Sequence, residues 1–168
     1  NLLDALTVGV VTATITEGDL VTLTGLNVSN SALTIVVTDT GAIVAVDPAD
    51  LTTVDGLTSV NVDATAVVSL SGTAAAIDAL LGDDVTLAAD VDITVTGAAT
   101  IAQLTAFNAV TTGTVSYTAV SGTVDELVTD AGNYVTAGIN VTVTGDVTLT
   151  QIQTIDGYNA GGGFDDSG

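Results

Sequence analysis

The sequence predicts a repeat solenoid of parallel strands and short helices, with about 25 residues in each coil. Two observations predict this fold class. Apolar anchor residues at helical spacing recur along the chain, and segments in which β-branched residues alternate with other residues lie between them. A strand–helix–strand connection places successive strands parallel. Repeating units of this length are typical of stacked solenoid coils.

The anchors are large apolar side chains that each begin a short helical pattern. Consecutive anchors lie 17 to 31 residues apart. Every second anchor is more regular, since Leu3 and Leu51 are 48 residues apart, Leu51 and Leu104 are 53 apart, and Leu104 and Ile152 are again 48 apart. This double period indicates duplication of a pair of coils. The complete set of anchors is Leu3, Leu20, Leu51, Ile77, Leu104, Leu127 and Ile152.

Residues that cap helix N-termini precede most anchors. The clearest example is Asp47-Pro48-Ala49-Asp50, where an N-cap residue is followed by proline at the first helical position and by an acid in the first turn. The other expected N-caps are Thr16, Thr73, Thr100, Thr123 and either Thr148 or Thr150.

Strands are predicted where valine and threonine alternate, because β-branched residues favour strands and alternation suits a half-buried sheet. The predicted strands are 10–15, 33–38, 59–62 with 66–70, 85–87 with 91–96, 114–118 and 139–144. We expect a single repeat domain at 1–160 and a Gly/Asp-rich tail at 161–168. The alternatives are a compact α/β domain, a β-solenoid, or an all-β sandwich in which the helical patterns are loops.

The charge balance excludes several classes of function. The chain has 20 acidic residues and no Lys, Arg, His or Cys, so its formal charge is −20. Nucleic acids and anionic membranes are bound largely through Lys and Arg. Without His, Cys or Lys there is no Ser-His-Asp triad, thiolate nucleophile, Schiff base or ordinary zinc site. Paired carboxylates for glycoside hydrolysis would need a raised pKa and stacking aromatics, which are scarce here. We therefore expect no enzymatic activity, no binding to nucleic acid and no membrane insertion.

Several segments are similar to one another and to a known kind of repeat. The segment Gly9-Val-Val-Thr-Ala-Thr-Ile-Thr-Glu-Gly-Asp-Leu20 resembles the "GVVTAT" repeats of very large bacterial surface and secreted proteins, many of them cyanobacterial and some carrying RTX calcium-binding tracts. Residues 99–105, 111–117 and 132–138 look similar, and the resemblance extends over about 2–160. It implies a repetitive extracellular structural or adhesive protein without catalytic residues. Residues 161–168 approach the RTX nonapeptide, but without tandem copies or its apolar position.

Aspartate pairs are candidate calcium ligands, since Ca²⁺ takes 6–8 oxygen ligands. The best group is Asp83, Asp84, Asp90 and Asp92, because these residues bracket one predicted strand. Bound cations would also reduce the self-repulsion of a chain with this charge. Aspartate is equally a common turn and cap residue, so solvated turns are the alternative explanation.

Two further patterns concern asparagine and threonine. Asn27 and Asn140 begin N-glycosylation sequons, which a threonine-rich sequence also produces by chance. Pairs with Thr-x-Thr spacing place two hydroxyls on one face of a strand, and stacked pairs would form the flat lattice used by ice-binding solenoids. These pairs are Thr12 and Thr14, Thr22 and Thr24, Thr94 and Thr96, Thr142 and Thr144, and Thr148 and Thr150.

Neither end of the sequence contains a polar capping repeat. Uncapped solenoids have open strand edges that pair with other chains, and a head-to-tail contact that does not close produces a filament. We therefore expect a non-enzymatic extracellular or cell-surface protein that self-associates into a filament, matrix fibre or adhesive stalk. The alternative is a calcium-binding or ice-binding module of a larger surface protein.

Overall fold

Short helices and short parallel strands alternate through the chain. The computed structural model describes residues 9–28, 31–130 and 132–160, and the backbone of 164–165. The helices are α1 (Leu20–Leu23), α2 (Pro48–Asp55), α3 (Ala74–Leu80), α4 (Ile101–Val110), α5 (Val124–Thr129) and α6 (Leu149–Tyr158). The strands are β1 (Val11–Thr14), β2 (Ser31–Thr34), β3 (Val62–Ala64), β4 (Ser69–Thr73), β5 (Val85–Leu87), β6 (Asp92–Thr96), β7 (Ala98–Thr100), β8 (Val115–Ser116), β9 (Ala119–Thr123), β10 (Asn140–Thr144) and β11 (Phe164–Asp165).

All strand pairs among the described residues are parallel. The paired residues are 20 positions apart for Val11 and Ser31 and up to 27 apart for the isolated bridge between Val36 and Asp63. The remaining pairs lie between these limits. The antiparallel pairing that a β-sandwich requires is not found in this part of the chain, so the sandwich alternative is wrong. The chain instead forms an α/β arrangement.

The strands form several small open sheets. Two sheets have two strands each, β1–β2 and β3–β5, and a third has the order β4–β6–β8. The fourth has the order β11–β10–β9–β7. The predicted tail thus contributes β11, which pairs with β10. Helices pack beside the sheets, with close contacts between α1 and α2, α2 and α3, α3 and α4, and α5 and α6.

The core is aliphatic and contains one aromatic ring among the described residues, that of Phe107. The strands present alternate residues to it, as in β6, where Ile93 and Val95 are buried and Asp92, Thr94 and Thr96 are exposed. The helices contribute residues three positions apart. Of the predicted anchors, those buried in the core are Leu20, Leu51, Ile77, Leu104 and Leu127.

The remaining anchors behave differently. Ile152 is half-buried, and Ile155 in the next turn of α6 is the residue that is fully buried. Leu3 lies outside the described residues.

Side chains cap the N-termini of all six helices in the described part of the chain. Asp47, Thr73, Thr100, Thr123 and Thr148 are N-caps, as predicted. The prediction of Thr16 for α1 is wrong, because the Asp19 carboxylate accepts the Thr22 N–H at 2.9 Å. Three helices also have a capping box, in which the side chain at the third helical position returns a bond to the N-cap backbone. These pairs are Thr100 with Gln103, Thr123 with Glu126, and Thr148 with Gln151.

Two kinds of junction between strand and helix alternate along the chain. In the first kind, Ser-Gly-Thr leads directly into the helix, at 71–73 and again 50 residues later at 121–123. In the second kind, Thr-Val-Thr-Gly is followed by two residues before the N-cap, at 94–100 and again 48 residues later at 142–148. The glycine of the second kind has positive φ, 79° at Gly97 and 91° at Gly145, a conformation that other residues rarely adopt.

Several strand predictions need correction. The strands begin and end elsewhere than expected at β2, β3, β4 and β8, and β7, β9 and β11 are not predicted at all. Residues 98–100 and 119–123 contain Ala, Ser and Gly rather than alternating Val and Thr. They become strands because neighbouring parallel strands supply their hydrogen-bond partners.

Candidate functional site

The four predicted calcium ligands lie on either side of β5. Asp83 and Asp84 are in the turn between α3 and β5, Asp90 is in the turn before β6, and Asp92 is the first residue of β6. Two of the carboxylates have partners within the protein. Asp84 Oδ1 accepts a bond from Asn61 Nδ2 at 3.0 Å, and Asp92 Oδ1 accepts the Thr114 N–H at 2.7 Å. These bonds tie Asp84 and Asp92 to residues 23 and 22 positions away in the chain.

No three acidic side chains in the described ranges converge in a group that could hold a metal ion. Calcium binding by Asp83, Asp84, Asp90 and Asp92 therefore stays a prediction. One atom in this region has an unusual environment. Asp83 Oδ2 is shielded from solvent and accepts no hydrogen bond from any described residue.

Asp55, which is not among the predicted site residues, lies close to the Asp83–Asp84 turn. Burial and the negative charges of Asp83 and Asp84 raise the pKa of the Asp55 carboxyl, and the Asp84 N–H opposes this by donating a hydrogen bond to it. Asp55 is also the last residue of α2, where the helix dipole disfavours a negative charge. A carboxylate at a helix C-terminus was the available signal.

We expect Asp55→Asn to stabilise the protein at neutral pH. A carboxyl with a raised pKa in the folded state destabilises that state when ionised, and this effect disappears as the pH falls through the raised pKa. Since the side chain is partly exposed, the gain in the free energy of unfolding should be about 0.5 kcal/mol. Urea unfolding at pH 7 and pH 3.5 measures it.

Asp156→Asn is the matched control. Asp156 is exposed on α6, so this substitution removes the same charge from a position outside the Asp83–Asp84 turn. An equal gain from both variants would mean that only net charge matters. A gain that persists at acidic pH would contradict the assignment to Asp55 ionisation.

The predicted glycosylation residues Asn27 and Asn140 are both exposed. Asn140 is the first residue of β10, and Thr142 of its sequon is two residues further along the same strand. For Asn27, the hydroxyl residue of the sequon lies outside the described residues. Modification at either position stays a prediction.

The Thr-x-Thr pairs are not all in strands. Thr22 and Thr24 belong to α1 and its C-cap, and Thr148 and Thr150 belong to the N-cap and first turn of α6, so the strand interpretation is wrong for them. The other three pairs lie in β1, β6 and β10.

β6 and β10 each contain Thr-Val-Thr, and the strands that pair with them, β4 and β9, contain Ser-Gly-Thr. Ser71 pairs with Thr94, and Ser121 pairs with Thr142. Thr144 pairs with Thr123, whose hydroxyl is already used as a helix cap. An extended lattice of free hydroxyls, as ice binding needs, is therefore interrupted.

Hydroxyls that follow two of the helices bond main-chain groups from earlier in the chain. After α4, the buried Thr111 hydroxyl donates to the Val91 C=O at 2.7 Å and accepts the Gly113 N–H at 2.9 Å. After α2, the Thr58 hydroxyl similarly bonds both the C=O and the N–H of Leu33, each at 2.8 Å. These contacts connect residues 20 to 25 positions apart. The two hydroxyls thus provide hydrogen bonds to main-chain groups that no neighbouring described strand bonds.

Two aromatic residues form a further link. The Tyr117 hydroxyl donates to the Tyr134 C=O at 3.1 Å, and their rings meet edge to face with centroids 6.1 Å apart. Burial, and after it the charge of Asp130, raises the pKa of Tyr117. The ring pair is thus a structural contact between residues 17 positions apart rather than an open stacking surface.

The two ends of the described chain expose apolar side chains and strand edges. At the N-terminal end, Val21 on α1 is 81% exposed, and at the C-terminal end Leu149 and Tyr158 on α6 are 72% and 52% exposed. The Ile15 N–H donates to the Thr34 C=O. In a parallel strand, the main-chain groups of alternate residues point to opposite edges. The main-chain groups of Thr12 and Thr14 therefore point away from β2. No described strand pairs with that side.

No protein family matches this chain, and no curated protein or solved structure is significantly similar to it. Among the described helices, none is both long enough and apolar enough to cross a membrane.

Proposed function

We propose that this chain is a non-enzymatic structural protein of the cell surface or extracellular space, built as a solenoid whose copies associate end to end. The observation that carries the proposal is the parallel pairing of residues 20 to 27 positions apart throughout the described chain. Pairing of this kind adds one strand per coil and does not close on itself. The alternation of the two junctions every 48 to 50 residues supports a repeating pair of coils.

The ends of the stack support association between copies. Large apolar side chains are exposed on α1 (Val21) and on α6 (Leu149 and Tyr158), as are Ile43 and Val44 before α2. The main-chain groups of Thr12 and Thr14 lie on a parallel edge with which no described strand pairs. An incoming copy could extend both the sheet and the helix row, and a heterologous contact of this type builds a filament.

Charge should control this association. Each copy has a formal charge of −20 and no cation to offset it, so copies repel one another at low ionic strength. Salt shortens the range of this repulsion to about 8 Å at physiological strength. Sedimentation velocity over a series of NaCl concentrations should therefore show monomers at low salt and large species at high salt. Negative-stain microscopy should show those species as filaments.

Thr12→Pro is the edge variant that tests the proposed contact. It removes an N–H that faces away from β2 and leaves the β1–β2 bonds in place, and proline is tolerated on such edges. We expect filaments to be lost while the far-ultraviolet circular dichroism of the monomer is unchanged. Thr12→Val is the control and should assemble normally. Monomers at every salt concentration, or equal assembly of Thr12→Pro and wild type, would contradict the proposal.

A calcium-binding module is the second candidate function, favoured by the shielded and unpartnered Asp83 Oδ2 beside Asp55 and Asp84. A bound divalent cation would satisfy that oxygen. CaCl₂ and NaCl at matched ionic strength separate the two candidates. If the cations only screen charge, the two salts should promote association equally. If the protein has specific calcium sites, calorimetry should detect Ca²⁺ uptake, and Asp83→Asn should reduce it.

A further inference from the structure

A groove of about 330 Å³, lined by aliphatic residues, lies beside β5, away from both ends of the chain. Its lining is aliphatic and includes Leu81 at the end of α3, Val85 and Leu87 of β5, Ala89, and Val110 at the end of α4. Val110 is 48% exposed, and Val85 and Leu87 are half-buried. The groove is therefore a concave surface on which aliphatic side chains remain in contact with solvent.

The groove exists because β5 has a neighbour on one side only. β5 pairs with β3, and no described strand pairs with its other edge. In the following coil, α4 continues to Val110 and the chain then passes directly to Thr111, which leaves no residues to form a matching strand. An extended segment is missing from this position in the sheet.

The main-chain groups at this edge point into the gap. The Val62 N–H donates to the Asp84 C=O at 2.9 Å, so Asp84 and Thr86 face β3 in the parallel ladder. The alternate residues Val85 and Leu87 direct their N–H and C=O groups to the opposite side. These groups have no hydrogen-bond partner among the described residues. Unpaired edge groups of this kind are a template for strand addition.

Carboxylates flank the groove. Asp83 and Asp84 lie between Leu81 and Val85 in the chain, and Asp90 follows Ala89. Asp84 and Asp90 are exposed, whereas Asp83 Oδ2 is shielded from solvent. Since this chain contains no Lys, Arg or His, a second copy cannot supply a complementary charge. A cationic partner is complementary to this surface.

We propose that the free edge of β5 is a docking site for an extended segment of another protein in which aliphatic residues alternate with Lys or Arg. The segment adds a strand to the β3–β5 sheet by bonding the main-chain groups of Val85 and Leu87. Its aliphatic side chains enter the groove, and its cations lie near the exposed carboxylates of Asp84 and Asp90. This site is independent of end-to-end association.

Three labelled hexapeptides test the proposal by fluorescence anisotropy in 150 mM NaCl: (Lys-Val)₃, (Lys-Ser)₃ and (Glu-Val)₃. Any cationic peptide is attracted to a chain of charge −20, so the (Lys-Ser)₃ peptide measures the non-specific contribution. We expect (Lys-Val)₃ to bind about tenfold more tightly than (Lys-Ser)₃, and (Glu-Val)₃ not to bind. A (Lys-Val)₃ peptide that is N-methylated at all six residues should lose this advantage, because it has no N–H group left to pair with the strand edge.

Val110→Ser and Val68→Ser are the matched variants, because the two valines are 48% and 45% exposed and only Val110 lines the groove. We expect Val110→Ser to weaken (Lys-Val)₃ binding several-fold and Val68→Ser to leave it unchanged. Bound peptide should slow amide hydrogen exchange at Val85 and Leu87. Equal binding of (Lys-Val)₃ and (Lys-Ser)₃, or no slowing at these amides, would overturn the proposal. Self-association that Val110→Ser abolishes would identify a second copy as the occupant and would also overturn it.

Discussion

Leu104→Ala should lower the free energy of unfolding by about 2–5 kcal/mol, the range for leucine truncation in a packed core. Leu104 has no exposed surface and lies on α4 in the middle of the chain. α4 packs against α3, and it also contacts β7, β8 and β9. A cavity at this position therefore affects elements that precede α4 in the chain and elements that follow it. Urea unfolding followed by circular dichroism measures the loss.

Leu149→Ala is the matched control for Leu104→Ala. Leu149 is 72% exposed on α6, so the same truncation should change the free energy of unfolding by about 0.5 kcal/mol or less. Similar losses at the two positions would mean that α4 does not form the centre of the core. A gain in stability from Leu149→Ala would not affect that conclusion, since exposed leucine contributes little packing.

Thr111→Val should destabilise the protein by about 1–3 kcal/mol, although valine has nearly the same shape as threonine. The substitution removes the hydroxyl that the Val91 C=O and the Gly113 N–H share. Thr111 is only 8% exposed, so water cannot easily replace the lost partner. The cost is mainly that of leaving buried main-chain groups without hydrogen bonds. Thermal and urea unfolding of the purified variant give the value.

The neighbouring Thr112→Val variant is the control for this effect. The exposed Thr112 hydroxyl donates to the Ala89 C=O at 3.1 Å, and that carbonyl also accepts the Thr112 N–H at 2.8 Å. We expect a change within about 0.5 kcal/mol. If the two variants are equally stable, the Thr111 hydroxyl does not connect the coils.

The helices are well predicted from the sequence because their signals are local. A capping residue, a favourable first turn and apolar residues three positions apart are all contained in one short segment, as at Asp47 to Val54. The α1 cap was misplaced because Thr16 and Asp19 are both good capping residues. Only the structure shows which of the two side chains reaches the N–H groups of the first turn of α1.

The strands are less well predicted because their signals depend on distant residues. β9 contains Ser121 and Gly122, which have low strand propensity, and it forms because β7 and β10 pair with it on both sides. The free edge of β5 could not be foreseen either. It arises because α4 extends to Val110, and a difference of a few residues in helix length lies within the uncertainty of sequence patterns.

The candidate site residues were only partly predictable. Pairs such as Asp83 and Asp84 are visible in the sequence, but their partners, Asn61 and Asp55, come from the preceding coil. To predict a ligand set that comes from distant parts of the chain, the register between paired strands must be known. Alternating Val and Thr do not specify that register. The hydroxyls of Thr58 and Thr111 carry no sequence signal that separates them from the other threonines.

Scalar couplings through hydrogen bonds, measured by NMR on isotope-labelled protein, test most directly whether strands in successive coils stack in parallel. The structure predicts couplings from the Val46 amide to the Ser69 carbonyl, from Ile93 to Thr114 and from Asn140 to Thr118. Donor and acceptor are 21 to 23 residues apart in each case, and their numbers should increase together along each ladder. Couplings in which donor numbers rise while acceptor numbers fall would show antiparallel strands and contradict the stacked solenoid.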